Sequence, residues 1–294
     1  MEKVKEAIIL AGGQGTRMLP ATIYSPKETL PLIDTPLLNH LIWEACKGGI
    51  ERLHIVLSPR KNIIIKNKLS FDNQNIIDKQ LNLPEIALRV IPEKIEVIFH
   101  EQENAEGVGA AMSIALKKVN GPFLLILGDN LLMDSHHGVE KSGPKNASDA
   151  SKRLIEQYNI TGLPCAGLIE VPDEELIKYG VVMTRGENII KIIEKPKFGF
   201  APSNYILCGR YLFPKNTSEI LKLFPIEKFG ENQSIKLIEY LIDNGGFLAV
   251  KMDGFSMYDS GDPMSWLKSQ IDHALRRNDL KDDLKEWLRL KIYK

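Results

Sequence analysis

The order of patterns between residues 6 and 130 constrains this chain more than any other feature. A short continuous apolar run, EAIILAG (6–12), ends in glycine. The segment PLLNHLIWEACKGG (36–49) places apolar residues at helical spacing and stops at paired glycines. RLHIVLS (52–58), EVIFHEQ (96–102) and GPFLLILGDN (121–130) repeat the first pattern, with the helical GVGAAMSIALKKV (107–119) between the last two. Apolar runs without polar alternation are strands buried on both faces, and strands joined by helices pair in parallel. The alternation therefore predicts a doubly wound, mostly parallel α/β sheet. Ligands of such sheets sit beyond the carboxyl ends of the strands. The loops after Leu10, His100 and Leu127 are expected to open onto one crevice.

The second half changes character. CAGLIEV (165–171), YGVVMT (179–184), NIIKIIEKP (188–196) and NYILCGRYLF (204–213) read as short strands separated by turns, antiparallel additions to the central sheet. Helical patterns return at 216–223, 233–243 and 263–276, and DDLKEWLRLKIYK (282–294) reads as a last helix. The polar interval 131–162, with SGPKNASDAS inside it, reads as a mobile excursion carrying a helix near 149–158. No repeat or long linker divides the 294 residues. The expectation is one α/β unit with C-terminal helices from about residue 263.

The loop after the first strand is LAGGQGTRMLPATIYSPKETLP (10–31). It fits neither familiar phosphate loop. A dinucleotide fingerprint needs a third glycine where Met18 stands, and a Walker loop started from Gly12 or Gly13 meets Arg17 or Met18 where its second glycine belongs. By itself a glycine pair after a strand is often only a tight turn. Here, however, the glycines allow backbone N–H groups to approach an anion closely. Arg17 adds a permanently charged fork suited to phosphate oxygens, and Pro20, Pro26 and Pro31 stiffen the segment that carries Lys27. Formal net charge is zero, so no overall field draws the chain to nucleic acid or an acidic membrane. An anion site has to be a local cluster. No apolar run reaches the ~18 residues of a membrane span, the start lacks a signal-peptide pattern, and Cys46, Cys165 and Cys208 are too few and too far apart for a disulfide framework. A cytoplasmic protein is expected.

The run from Gly13 to Pro20, GQGTRMLP, followed by Pro26-Lys27, resembles the signature GxGTRxxP…PK of the sugar-1-phosphate nucleotidylyltransferases. PATIYSPKETLPLIDTPLL, HEQENAEGVGAA, IIEKPKFGFAPSNYILCGRYLF and MYDSGDPMSWLKS resemble the bacterial UTP–glucose-1-phosphate uridylyltransferases within that family. The resemblance implies a Rossmann-like nucleotidyltransferase domain over 1–294, with a nucleotide-binding half at about 1–130 and a sugar-binding half at about 163–262. It further implies Mg²⁺ as cofactor, UTP and glucose 1-phosphate as substrates, and a homo-oligomer, dimer or tetramer. Nucleic acid and membrane are not expected partners. TTP in place of UTP, another hexose 1-phosphate, or a catalytically silent nucleotide-sugar-binding subunit are the alternatives. Uracil and thymine differ by one methyl group, which a pocket discriminates weakly.

Residue by residue, the resemblance places the nucleotide at Gly12, Gly13, Gly15, Thr16, Arg17, Lys27 and Glu28, and the base at Gln102 and Gly107. Arg17, Lys27, Asp129 and Lys195 are the implied catalytic residues. Asp129, directly after a buried strand, and Asp259, in YDSGD, are the implied metal ligands; Asp262 reads better as a helix N-cap. Gly180, Glu194 and Lys195 are implied for the sugar phosphate, although an exposed Glu-Lys pair is by itself usually solvated surface. The adjacent His136 and His137 lack the spacing of a helical metal pair. Cys165 and Cys208 read as inert core thiols, and Trp266 and Trp287 as packing or subunit contacts. Two departures stand out: ENQSIKLI from residue 231 has Lys236 where an aspartate is usual, and Gly12-Gly13 replaces the common alanine-glycine.

Overall fold

A computed structural model describes residues 2–69, 92, 95–135 and 137–292. The strands among them, in chain order, are β1 (Glu6–Leu10), a small hairpin of β2 (Pro31–Leu32) and β3 (Thr35–Pro36), then β4 (Arg52–Leu57), β5 (Glu96–Glu101), β6 (Phe123–Leu127) and β7 (Asn130–Met133). They continue with β8 (Cys165–Glu170), β9 (Gly180–Arg185), β10 (Asn188–Glu194), β11 (Tyr205–Phe213), β12 (Leu248–Lys251) and β13 (Ser256–Asp259). Nine of them form one sheet in the order β5-β4-β1-β6-β11-β8-β12-β10-β9. The first four are parallel, as the alternation predicts, and β1 pairs with both β4 and β6. Strand order reverses at β1, so the crevice between the ends of β1 and β6 is the topological switch point.

The continuous apolar runs have their expected physical cause. Ala7 and Ile9 face one core with Leu53, Ile55, Leu124 and Ile126; Ile8 faces the other with Val56 and Leu125, and none is more than 1% exposed. The helix Leu37–Lys47 buries Leu38, Leu41, Ile42 and Ala45 in the first core, and Val108–Leu116 buries Ala111, Met112 and Ala115 in the second. A fully buried Leu or Ile side chain contributes roughly 1.5–3 kcal/mol, so both faces of the parallel half are stabilised.

The second half is antiparallel where β11 meets β6 and β8, and where β10 meets β9. Two features depart from the reading of the sequence. The short LAVK segment becomes β12 and runs parallel to β8, and the supposed excursion begins as a strand. Leu131, Leu132 and Met133 are buried, and β7 pairs with β13 in a separate two-stranded ribbon. Their apolar character is short and followed at once by polar DSHHG, which masks it in the sequence. The expected helix inside the interval is Ala150–Thr161.

A buried ion pair joins these parts. Gly209, at φ +76, forms a bulge in β11, and the next residue, Arg210, is fully buried. Its guanidinium donates to both carboxylate oxygens of Glu44, at 2.8 and 2.9 Å, and to Asn130 Oδ1 at 2.9 Å. Near the C-terminus the buried Arg277 donates to Asp34 at 2.7 Å, and Gln270 accepts from the Ile33 N–H, tying the helix Pro263–Arg276 to the β2–β3 hairpin. Trp266 packs in the core, whereas Trp287, on the helix Lys281–Ile292, is exposed. Burial pushes the Cys165 thiol up and the Cys208 thiol up to about 12, so both are inert at neutral pH. His136 lies outside the described residues, and His137 Nε2 lies 2.7 Å from Arg276 Nη1.

Candidate active site

The glycine loop leaves β1 at the switch point. Backbone approach is close there: the Gly128 N–H donates to Leu10 O at 2.9 Å, and a Cβ on Gly128 would stand 2.5 Å from that oxygen. Gly12 is similarly confined, because a Cβ would meet Gln102 Oε1 at 2.8 Å. Gly12, Gly13, Lys27 and Glu28 line one cavity of about 270 Å³ with Gln102, Gly107 and Asp129. The three strand-end loops therefore do share one crevice. Gln102 is 9% exposed and its Nε2 has no hydrogen-bond partner among the described residues, leaving a donor at the cavity wall. Gly107 has φ +92 and lies against Glu231, which would be 3.0 Å from an added Cβ, so conformation and space both require glycine. Gly15, at φ +67, turns the loop into the short 3-10 segment Thr16–Met18. Thr16 faces a second cavity, of about 360 Å³, with Gln14 and Arg60.

The charged groups converge beside the first cavity. Asp129 follows β6, and Asp259 ends β13; the β7–β13 ladder pairs Asp259 with Asn130, the neighbour of Asp129. Ser260 locks this corner, donating to Asp129 O from N–H at 3.0 Å and from Oγ at 2.8 Å. Lys27 Nζ stands 3.9 Å from Asp129 Oδ2. Arg17 reaches the same corner: its Nη2 would be 2.8 Å from a Cβ on Gly261, whose N–H donates to Asp259 Oδ1 at 2.6 Å. Burial pushes the Asp259 carboxyl above its usual range and Asp129 pushes it further, while the Gly261 N–H and Arg17 pull it down. Two neighbouring carboxylates at this corner suit a hard divalent cation, which takes one or two carboxylates and fills its remaining positions with water or substrate oxygens. Groups of three or more His, Cys, Asp or Glu fit to hold a metal are absent among the described residues. Asp262 is the N-cap of the helix Pro263–Arg276, accepting from Met264 and Ser265 N–H.

Residues 6–274 match the nucleotidyl transferase family. The chain belongs to that family. Among curated relatives, UTP–glucose-1-phosphate uridylyltransferase of Staphylococcus epidermidis is 32% identical over 98% of this chain and 99% of its own. The protein of the same name from Staphylococcus haemolyticus is also 32% identical, with the same coverage. Among solved structures, UDP-glucose pyrophosphorylase from Acinetobacter baumannii superposes with a TM-score of 0.84 at 27% identity, over 98% of this chain and 99% of that one. A UTP-bound form of the Acinetobacter enzyme gives 0.82 at the same identity and coverage.

Elsewhere in this nucleotidyl transferase, at the residues expected for the sugar phosphate, Gly180 and Glu194 are cross-strand partners, and a Cβ on Gly180 would stand 2.9 Å from Glu194 Oε2. Lys195 follows at φ +46, a left-handed conformation rare outside glycine, held by its N–H donating to Tyr179 O at 3.0 Å. Its ammonium is 3.9 Å from Glu194 and largely exposed. These three residues do not line the first cavity; Tyr179, which accepts from the Lys195 N–H, lines a separate cavity of about 310 Å³ with Asp259, and burial and then the charges of Asp259, Glu175 and Asp129 push its phenol up to about 12. Two residues packed against these groups were not found from the sequence. One is Tyr179; the other is Lys61, buried behind the glycine loop with both oxygens of Glu28 at 2.8 Å. Glu28, expected to touch the nucleoside, is 0% exposed and directs its carboxylate at Lys61. Neither signal was readable, since Lys61 lies in KNIII, an ordinary helical stretch.

Proposed function

We propose that this chain transfers a uridylyl group from UTP to glucose 1-phosphate, forming UDP-glucose and releasing pyrophosphate. The observation that carries the reading is the crevice at the switch point. It combines an unpartnered Gln102 amide, a glycine loop, two cations and two carboxylates, in a chain similar over nearly its whole length to uridylyltransferases.

A phosphate oxygen of glucose 1-phosphate forms a bond to the α-phosphorus of UTP. The bond from that phosphorus to the bridging oxygen breaks, and its electron pair leaves on pyrophosphate. The attacking oxygen is already ionised near neutral pH, so no side chain has to remove a proton. The obstacle is the meeting of two polyanions, and catalysis is positioning and charge neutralisation. Arg17 and Lys27 face the triphosphate and the leaving pyrophosphate. Asp129 and Asp259 would hold Mg²⁺, which when bound neutralises phosphate charge and orients the reacting phosphate. Gln102, able to donate and accept, reads the pyrimidine edge beside the Gly107 backbone. Lys195 takes the sugar phosphate, Glu194 accepts from sugar hydroxyls, and Gly180 leaves the backbone open to the ring.

The nucleotide half at about 1–130 and the sugar half at about 163–262 work as one unit in this reading. Three unpaired thiols fit a cytoplasmic enzyme. The exposed Trp287 and Leu290 near the C-terminus fit a homo-oligomer. No helix among the described residues is long and apolar enough to cross a membrane. The test is pyrophosphate release across UTP, TTP, CTP, ATP and GTP, each with glucose 1-phosphate and with other hexose 1-phosphates. UTP with glucose 1-phosphate should give kcat/KM at least about tenfold above other pairs. Higher turnover of TTP would replace the base assignment, and turnover of no pair would leave a silent binding subunit.

A further inference from the structure

Beside the glycine loop the proposed mechanism leaves a buried cation, Lys61, without a task. On the helix Pro59–Leu69, Lys61 is 7% exposed; its ammonium sits against the glycine loop, and the residue borders the second cavity with Gln14 and Thr16 and not the first. It donates to Ala11 O at 3.1 Å, to Gly13 O, and to both oxygens of Glu28 at 2.8 Å. Both sides of the nucleotide clamp thus end on one ammonium: the glycine loop through two carbonyls, and the 3-10 turn Lys27–Thr29 through Glu28.

We infer that Lys61 is a positioning residue for the nucleoside triphosphate, fixing through one ammonium both the amides of the glycine loop and the pose of Lys27. In a trans peptide the C=O of one residue and the N–H of the next point in opposite directions. The Ala11 and Gly13 carbonyls turn toward Lys61, so the N–H groups of Gly12 and Gln14 turn away from it. Glu28 is held on the same ammonium, and its neighbour Lys27 emerges on the other side, toward Asp129. Without the ammonium, two carbonyl oxygens and a buried carboxylate would face one another with no donor between them. The loop and the turn would then separate or rotate, and the triphosphate would lose its aligned amides and Lys27 together. Burial pushes the Glu28 carboxyl above its usual range, and the charges of Lys61 and then Lys27 pull it back toward the ionised form.

This inference rests on the reading that a nucleoside triphosphate occupies the crevice. It predicts a selective effect: loss of Lys61 weakens UTP and spares glucose 1-phosphate, whose proposed ligands are on β9 and β10. The experiment compares wild type with Lys61→Met, Lys61→Arg and the double variant Lys61→Met/Glu28→Gln, which removes the carboxylate that the single change would orphan. Steady-state KM for each substrate is measured with the urea unfolding midpoint of each protein. In folded variants that lack the ammonium, KM for UTP should rise tenfold or more while KM for glucose 1-phosphate stays within twofold. Lys61→Arg, which keeps a cation, should recover part of the UTP affinity. An unchanged KM for UTP, or an equal rise in both constants, overturns the inference. So does the failure of every Lys61 variant to fold, because the lysine would then serve the fold and not the clamp. A wild type that turns over no UTP overturns the proposed reaction instead.

Discussion

Asp129 is half-exposed and makes few contacts that hold the fold, so its removal separates chemistry from stability. Asp129→Ala should lower kcat about a hundredfold or more while leaving the urea midpoint close to wild type; near-normal turnover in saturating Mg²⁺ would remove it from the metal site. Lys195 calls for a different substitution, because its φ of +46 already strains any side chain. Lys195→Met keeps that strain and deletes only the charge. It should raise KM for glucose 1-phosphate about tenfold, the worth of one charge-assisted hydrogen bond, with KM for UTP nearly constant. Equal rises would show that Lys195 does not serve the sugar phosphate. At this scale the sequence was readable where a residue type limits its own role. Gly12 and Gly107 are glycines because Gln102 and Glu231 occupy the space of a side chain. The lysine behind Glu28 was not foreseen, because a carboxylate near a phosphate loop reads the same whether it faces a ligand or a lysine.

The elements of the parallel half were legible because each depends on local pattern: a strand buried on both faces is apolar throughout, whatever it pairs with. Pairing between distant segments leaves no such trace. The ladder from Ser256 opposite Met133 to Asp259 opposite Asn130 joins two four-residue strands, each too short to be seen in isolation. The Arg210–Glu44 pair is equally hidden, since nothing local distinguishes an arginine in a strand that will be buried from one at an edge. Its energetics are testable. Arg210→Met should destabilise the protein by about 3–5 kcal/mol, because a buried Glu44 carboxylate is left without its cation. A Glu44→Leu/Arg210→Met double variant should recover much of that loss. Urea midpoints measure both, and a single variant as stable as wild type would show that Glu44 finds another partner.

Across the molecule, histidines buried in two separate places tie stability to pH. Burial lowers His100 from the usual 6.5 to about 4 and lowers His54, its stacked partner, as well. Burial likewise lowers His273 to about 4. The folded protein therefore binds fewer protons at these sites than the unfolded chain. Their stabilisation is complete above about pH 6.5 and is lost as pH falls toward about 4. The raised carboxyls of Glu28 and Asp259 act in the opposite sense, so the comparison with His100→Gln and His273→Gln isolates the histidine contribution. Both variants should show a flatter fall of urea midpoint between about pH 7 and about pH 5; slopes equal to wild type would contradict it. The β7–β13 ribbon has a separate consequence. Because Asp259 pairs with Asn130 in a ladder of its own and Ser260 holds Asp129, the two carboxylates are tied together locally, although the chain between Met133 and Ser256 supplies five strands of the central sheet. A change of length in a loop of that long connection therefore leaves the spacing of the two carboxylates to the ribbon.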